Sequence, residues 1–407
     1  MREETTIALH DASKVDLSHL SIQHEGDEYT IGDPTIQRFI RVPEAATFVL
    51  ALANGSRTLA EIKDQIHREK GLDLDVLDFV QTLHRLRLVY SIDGKVMGEP
   101  RQNQEQTKMR RVGGWLFNRY TAWLYAFNAC LACYMMLANP EMFPHYRDMF
   151  VFQQIGLNSL YVCVIACLLV ALHEFAHFLA ASSAGVRSTF RLNMRYIFLV
   201  AETDMTGLWG QPRSKRYLPY LAGMAWDSTW IVGMLLLQSN VPVDSLLHAT
   251  AKLVTLLLVL GTLSQFMFFL RTDMYFVIGN LTHSADLAQS GRLFLKRIWK
   301  RNDEALAVLW NRLPETEKKA GRVFGFFYAI GIVCVTYLFL FFTIPGLFTS
   351  LSWAIREVSQ YRIDQMLFWD GAIILGLFVV RMLLKLIGAR NAFKDWLQKR
   401  AQQQGQG

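Results

Sequence analysis

The chain is 407 residues long, 52% hydrophobic and only 19% charged, with a formal net charge of +7. A soluble domain carries about a quarter charged residues, so a wholly soluble globular protein is excluded, and the apolar residues fall in blocks, which is a membrane signature. Lys and Arg cluster beside those blocks and not along one soluble face, so the positive charge speaks for membrane orientation and against nucleic acid as a partner.

The first hundred residues read as soluble. Met1 to Ser18 is polar and mixed in charge and reads as no signal peptide, so insertion is expected to use internal spans. Strand signals follow at Leu20–His24, Glu28–Ile31 and Arg38–Val42, separated by turns at Gly26-Asp27 and Gly32-Asp33-Pro34. Three short helices come next. Pro43 opens the first and Asn54-Gly55 closes it; Thr58-Leu59-Ala60-Glu61 is a capping box for the second; Val76, Phe79, Val80, Leu83 and Leu86 form the stripe of the third. A strand at Leu88–Ile92 and an Asp93-Gly94 turn complete a small α+β, winged-helix-like module spanning residues 1–100. Residues 101–112 form a polar linker.

Residues 113–390 read as a transmembrane domain with about six helices, and 391–407 as a polar tail whose end, Gln402–Gly407, is low-complexity and is assigned no structure. A hydrocarbon layer of about 30 Å needs about 20 helical residues. Stretches near 115–137, 157–182, 217–238, 246–270, 322–344 and 365–387 meet that length. Lys108, Arg110 and Arg111, then Arg187 to Arg216, then Arg292 to Arg322, then Arg390 to Arg400 lie on one side of these spans. Only Arg147, Arg356 and Arg362 lie on the other. The positive-inside rule therefore places both termini in the cytoplasm, with the cell membrane as the location. The five cysteines all lie in apolar segments. Cys130 and Cys133, though spaced C-x-x-C, read as small packing residues. Gly321 and Gly325 form a small-x-x-x-small pair that allows close helix contact or a homodimer.

Chemistry concentrates in the second span, at His173-Glu174-Phe175-Ala176-His177. Two histidines four apart on a helix project about 40° from one another, close enough to bind one zinc ion. Glu174 stands beside them, placed to take a proton from water. Three ionisable residues in a span are costly unless paired, coordinated or hydrated. Mutual pairing for packing alone is the bland alternative. A catalytic zinc needs a third protein ligand, and Asp273, just beyond the fourth span, lies at a depth similar to the histidines. His283, Glu202, Asp204 and Asp227 are its competitors. Asp227, in the third span, would touch substrate or polarise water, or else only bond to Ser228 or Thr229. Phe190 to Trp209 is no clean span: it carries Arg191, Arg195, Glu202 and Asp204, and Tyr196–Ala201 is β-like. It reads either as a hairpin at membrane depth whose edge takes an extended peptide, or as an ordinary cytoplasmic loop.

His173–His177 on a span, a Gly-Met-Ala turn at Gly223 opening the third, and Asp273 after the fourth together resemble the site-2 protease family of intramembrane zinc metallopeptidases. The resemblance covers roughly residues 155–285 and implies that His173, His177 and Asp273 bind zinc while Glu174 activates water. The chain departs from the family pattern in having Met274 where an Asp-Gly pair is usual, and in lacking an Asn- and Pro-rich motif. Those departures bear on substrate positioning more than on metal binding. The N-terminal module resembles PqqD-type peptide chaperones through Tyr29-Thr30-Ile31-Gly32-Asp33, Phe39-Ile40-Arg41-Val42-Pro43, Asn54-Gly55-Ser56-Arg57-Thr58 and Phe79-Val80-Gln81-Thr82-Leu83. That resemblance implies a leader peptide bound as an added strand between Arg38–Val42 and Asp78–Leu86, with Phe39, Ile40, Arg41, Phe79 and Leu83 touching it. A structural or regulatory winged-helix domain is the alternative. DNA binding is disfavoured, because Asp75 and Asp78 accompany Arg85 and Arg87 on the third helix.

The combined expectation is a zinc metalloendopeptidase that captures a ribosomally made precursor peptide and cleaves it during maturation or export. Regulated proteolysis of a membrane-bound signalling protein is a second possibility, with cleavage within the substrate's own span. A non-proteolytic peptide exporter or immunity protein is a third, although it gives Glu174 no task.

Overall fold

The computed structural model describes residues 9–26, 28–97, 107–195, 198–284 and 286–404. The expected Gly26-Asp27 turn, the linker at 101–106, Tyr196 with Ile197, and the last three residues of the tail fall wholly or partly outside them. The chain forms two units. One comprises the residues up to Gly113 together with Ala181–Ser188 and Met205–Arg216. The other comprises Gly114–Ala180, Thr189–Asp204 and everything from Tyr217 on.

The first unit contains β1 (Lys14–Asp16), β2 (Ser21–Glu25), β3 (Glu28–Asp33), β4 (Arg38–Pro43), α1 (Glu44–Leu52), β5 (Asn54–Thr58), α2 (Leu59–Lys70), α3 (Val76–Arg85), β6 (Ser91–Ile92) and β7 (Lys95–Val96). β2, β3 and β4 form an antiparallel meander with β4 at its edge, and β5-β1-β6-β7 form a second sheet. β1 and β5 carry no strand pattern of their own and exist by pairing with each other, so Asn54-Gly55 begins a strand and does not simply close α1. Asp93 (φ 48°) and Gly94 (φ 76°) make the tight turn from β6 to β7. The apolar stripes converge on one core, in which Ile31, Ile62, Val80, Leu83, Leu88 and Ile92 are fully buried. Each such side chain contributes about 1.5–3 kcal/mol of burial.

A second, polar centre belongs to the same unit. Glu25, at the end of β2, is buried, and its carboxylate accepts from Nε of Arg213 and Nη2 of Arg216. Arg216, 1% exposed, also donates to the carbonyls of Gln211 (2.8 Å) and Trp209 (3.1 Å). Gln23 donates to the Gly210 carbonyl at 3.0 Å, and the Gln37 amide donates to the Arg187 carbonyl.

The helices continue with α4 (Thr107–Leu116), α5 (Arg119–Ala138) and α6 (Ile155–Ser183). The hairpin β8 (Thr189–Arg195) and β9 (Phe198–Asp204) precedes α7 (Arg213–Asn240), α8 (Leu246–Gln265) and α9 (Asp273–Leu281). Then come α10 (Leu287–Trp299), α11 (Glu304–Asn311), α12 (Glu315–Leu338), α13 (Ile344–Gln360) and α14 (Met366–Gln404). Among the described residues, six helical runs are long and apolar enough to cross a membrane: Arg119–Ala138, Ile155–Ser183, Arg213–Asn240, Leu246–Gln265, Glu315–Gln360 and Met366–Asn391. They expose Trp123, Phe127, Val333 and Phe341 by 60% or more, a surface suited to lipid and not to water. The protein is thus a multi-pass helical membrane protein with a small N-terminal β region.

Several boundaries differ from expectation. The third span begins at Arg213, so Gly223-Met224-Ala225 lies inside a helix and is no turn. The fourth ends at Gln265, and Phe266–Arg271 folds back through a short 3-10 turn and Arg271 at φ 58°. The fifth run is far longer than 322–344: α12 passes through a π-helical turn at Phe339–Thr343 into α13, just before Pro345, whose missing N–H the wider turn accommodates. The sixth continues as helix through Gln402 to Gln404, and α4 begins within the expected linker.

Gly321 and Gly325 do serve close approach, but within the chain. A Cβ on Gly321 would lie 2.8 Å from Ser290, and one on Gly325 would lie 3.0 Å from the Gly291 carbonyl. That face is packed against α10. The five cysteines are free and exposed along the spans.

Candidate metal centre

Helix α6 carries His173, Glu174 and His177 and packs closely on α7. Ala176, Leu179, Ala180 and Ala222 line the contact, and the small alanine side chains let the two helices approach. The approach is tightest at Gly223, where any Cβ would lie 2.3–2.6 Å from the His173 imidazole. Only glycine leaves room for that ring.

Each imidazole is fixed by its Nδ1. That of His177 lies 2.8 Å from the Pro219 carbonyl, which can only accept, so Nδ1 carries a proton and, in the neutral ring, Nε2 the lone pair. That of His173 lies 2.7 Å from Oδ2 of Asp227, in a pairing that both orients the ring and satisfies a buried carboxylate. Ser228 and Thr229 bond elsewhere, to carbonyls of Ala225 and Tyr125 and to Asn128, so the alternative that Asp227 only meets its neighbours is overturned.

The backward fold after α8 brings Asp273, the first residue of α9, to the same place. Its backbone N–H donates to the Gln265 side chain at 3.1 Å. Oδ2 of Asp273 lies 3.1 Å from Nε2 of His173 and 3.0 Å from Nε2 of His177, and the two Nε2 atoms are 3.2 Å apart. These three side chains form the one group suited to a metal ion among the described residues. A tetrahedral zinc with bonds near 2.1 Å holds its ligand atoms about 3.4 Å apart. The donor set and its spacing fit such an ion. With both Nδ1 atoms turned to acceptors, neutral rings would direct three lone pairs to a common point, an arrangement that a cation there would stabilise.

Glu174 neighbours this triangle on α6, and its carboxylate Oε2 accepts from the Thr203 hydroxyl of β9 at 2.7 Å. Phe190 to Trp209 does contain an antiparallel hairpin, with Phe190 opposite Thr203 and Arg191 opposite Glu202. Strand residues alternate faces, so Glu202 points away from the side on which Thr203 meets Glu174. Asp204 pairs with Arg191 at 3.1 Å, and neither acid joins the ligand triangle. His283 takes a left-handed turn position (φ 61°) after α9.

In the N-terminal module, Phe39, Ile40 and Arg41 lie on β4 and Phe79 and Leu83 on α3. Leu83 is fully buried in the core, so it packs the module and offers no surface to a peptide. Ile40 and Phe79 pack on the same core but remain partly exposed. Phe39 is directed the other way, its ring filling the space where a Cβ on Gly210 would fall, 3.0 Å away. Arg41 pairs loosely with Glu28 at 3.7 Å.

Thr203, the Pro219 carbonyl and the packing role of Gly223 were not legible as site features. Pro219 carries a partial signal, since proline inside an apolar helix marks an altered backbone. Thr203 carries none, because its partner lies 29 residues away and is met only once the hairpin folds. No protein-family model, curated protein or solved structure matches this chain.

Proposed function

We propose that this chain is an intramembrane zinc metallopeptidase of the site-2 protease type, acting on a precursor peptide delivered by a PqqD-like N-terminal module. The observation that carries this reading is the triangle of His173, His177 and Asp273 donor atoms, 3.0–3.2 Å apart, with a glutamate one residue from the first histidine. A zinc ion bound there would polarise a peptide carbonyl and make water at its open position more acidic. Glu174 takes the proton from the attacking water and hands it to the leaving amine nitrogen. Asp227 and the Pro219 carbonyl hold the two imidazoles in the tautomer that leaves Nε2 unprotonated.

Two edges suit an extended substrate. β4 is the edge strand of its meander, and a leader peptide would add to it beside α3. In the second unit, β8 meets α14, where Asn391 donates to the Leu192 carbonyl at 3.3 Å. That leaves β9, which bears Thr203, as the strand edge on which a scissile segment would lie next to Glu174. Holding the leader raises the effective concentration of the segment to be cut to about millimolar. With the basic loops on the inner face, both termini are cytoplasmic and the membrane is the cell membrane.

The test is a purified full chain, zinc analysis, and a mixture-based peptide library read by mass spectrometry. Wild type should bind about one zinc per chain and cleave peptides in a chelator-sensitive way. Glu174→Ala should keep the zinc and lose roughly 1,000-fold or more in turnover. A Glu174→Ala chain that still cleaves would rule out this mechanism.

A further inference from the structure

We infer that Thr203 is the positioning residue for Glu174: its hydroxyl fixes one carboxylate oxygen so that the other is presented for proton transfer. This rests on the peptidase reading above. Glutamate has three side-chain torsions, and a freely turning carboxylate spends little time in any one orientation. Thr203 is buried, and its Oγ1 lies 2.7 Å from Oε2 of Glu174 and 3.0 Å from the Glu174 carbonyl. A hydroxyl has one proton, and the shorter bond to the charged oxygen is the stronger claim on it. With Oε2 engaged, Oε1 is the oxygen left for water.

The hairpin that carries Thr203 is itself held in register against α6. Phe190, opposite Thr203 in the ladder, stacks on Phe178 (centroids 5.4 Å apart, planes 26° apart), and Phe178 stacks in turn on Phe175 (6.2 Å, 14°). Phe175 follows Glu174 directly on its helix, and Phe178 lies about one turn on. A slip of one residue would turn Thr203 to the opposite face and remove the bond. As a β-branched residue, Thr203 also has few side-chain rotamers to lose. The contact is thus built from both ends: an aromatic stack sets the strand, and the strand sets the hydroxyl. The same β9 is the strand proposed to receive substrate, which places the device at the point where peptide and base meet.

A purely structural role would need only the bond to the Glu174 carbonyl, and this separates the two roles experimentally. Zinc-loaded full-length wild type, Thr203→Val and Thr203→Ser are compared for zinc stoichiometry, for the Kd of a peptide hydroxamate, whose hydroxyl donates to the glutamate, and for kcat and KM on a library-selected peptide. Thr203→Val keeps the shape and drops the hydroxyl. It should weaken the hydroxamate and lower kcat by about 10- to 100-fold, the loss expected for one hydrogen bond to a charged group. KM and zinc should stay unchanged, and Thr203→Ser should remain within about threefold of wild type. Hydroxamate binding by Thr203→Val within about twofold of wild type, a Ser variant as impaired as the Val variant, or loss of zinc in Thr203→Val would each overturn the assignment. If wild type binds the hydroxamate but cleaves no peptide, the peptidase reading fails on its own, and the hydroxamate comparison still decides the role of Thr203.

Discussion

Two buried polar clusters, one in each unit, solve the problem of buried charge in opposite ways. Around Glu25, one carboxylate faces two guanidinium groups, and Arg216 spends further donors on the carbonyls of Trp209 and Gln211. Donors there meet acceptors of the chain itself at Glu25, Trp209 and Gln211, and in that sense the cluster is closed. Around His173, two carboxylates and two imidazoles meet, and when both rings are neutral with Nδ1–H turned outward the inner atoms are all acceptors. In that state His173, His177 and Asp273 could hold a divalent cation. The contrast lies in the donor sets: guanidinium groups around a carboxylate can only pair with it, whereas imidazoles around a carboxylate could also share a metal ion.

Breaking the closed cluster gives the largest expected change in stability. Glu25→Gln leaves two guanidinium groups buried without their counter-charge, which costs about 3–5 kcal/mol. It should appear as a lowered denaturation midpoint of the detergent-solubilised chain. Replacing Glu25, Arg213 and Arg216 together by apolar residues of similar volume should recover most of that loss. Zinc stoichiometry measured on Glu25→Gln sharpens the comparison. Retained zinc keeps the two clusters independent, whereas lost zinc joins them through α7, since Arg216 precedes Pro219 by three residues on that helix.

The open cluster should respond differently, through affinity and not through folding. Asp227→Ala removes the carboxylate that orients His173, and the change in zinc affinity should be about 10- to 100-fold, the usual weight of a partner behind a metal-bound histidine. A competition titration with a chromophoric chelator reads this directly. A variant that binds zinc as tightly as wild type would show that helix packing at Gly223 alone fixes the ring.

The legibility of these features followed the distance over which each is determined. The six spans and the stripes of α2 and α3 rest on composition and local period, and they appear where expected with shifted ends. The H-E-x-x-H pair needs only one helical turn, and Asp273 needed only a depth argument. Thr203, Pro219 and Glu25 depend on contacts made across 29, 42 and 191 residues respectively, where no local pattern bears on the partner. The packing of Phe39 and Leu83 lies beyond local pattern for the same reason. Which face of β4 and α3 is already filled is decided by Gly210 and by the module's own core.

An exposed carboxylate supplies the control that both buried clusters need. Glu61 closes the capping box of α2: its Oε2 accepts from the Thr58 backbone N–H at 2.8 Å, while its own N–H donates to the Thr58 hydroxyl at 3.3 Å. The Thr58 backbone bond first, and the Thr58 side chain second, hold its carboxyl below the ordinary value of 4.5. A depressed acid stabilises the folded state fully above its unfolded pKa and loses that contribution as pH falls through the folded value. Amide-exchange protection in the first turn of α2 should therefore drop as the full chain is taken from neutral pH to below 4.5, after correction for intrinsic exchange. Water screens this site, so the change should be only about twofold. Glu61→Gln should flatten it while leaving the Glu25 cluster and zinc binding untouched. An effect on protection as large as that of Glu25→Gln would mean that burial is not what gives the two clusters their weight.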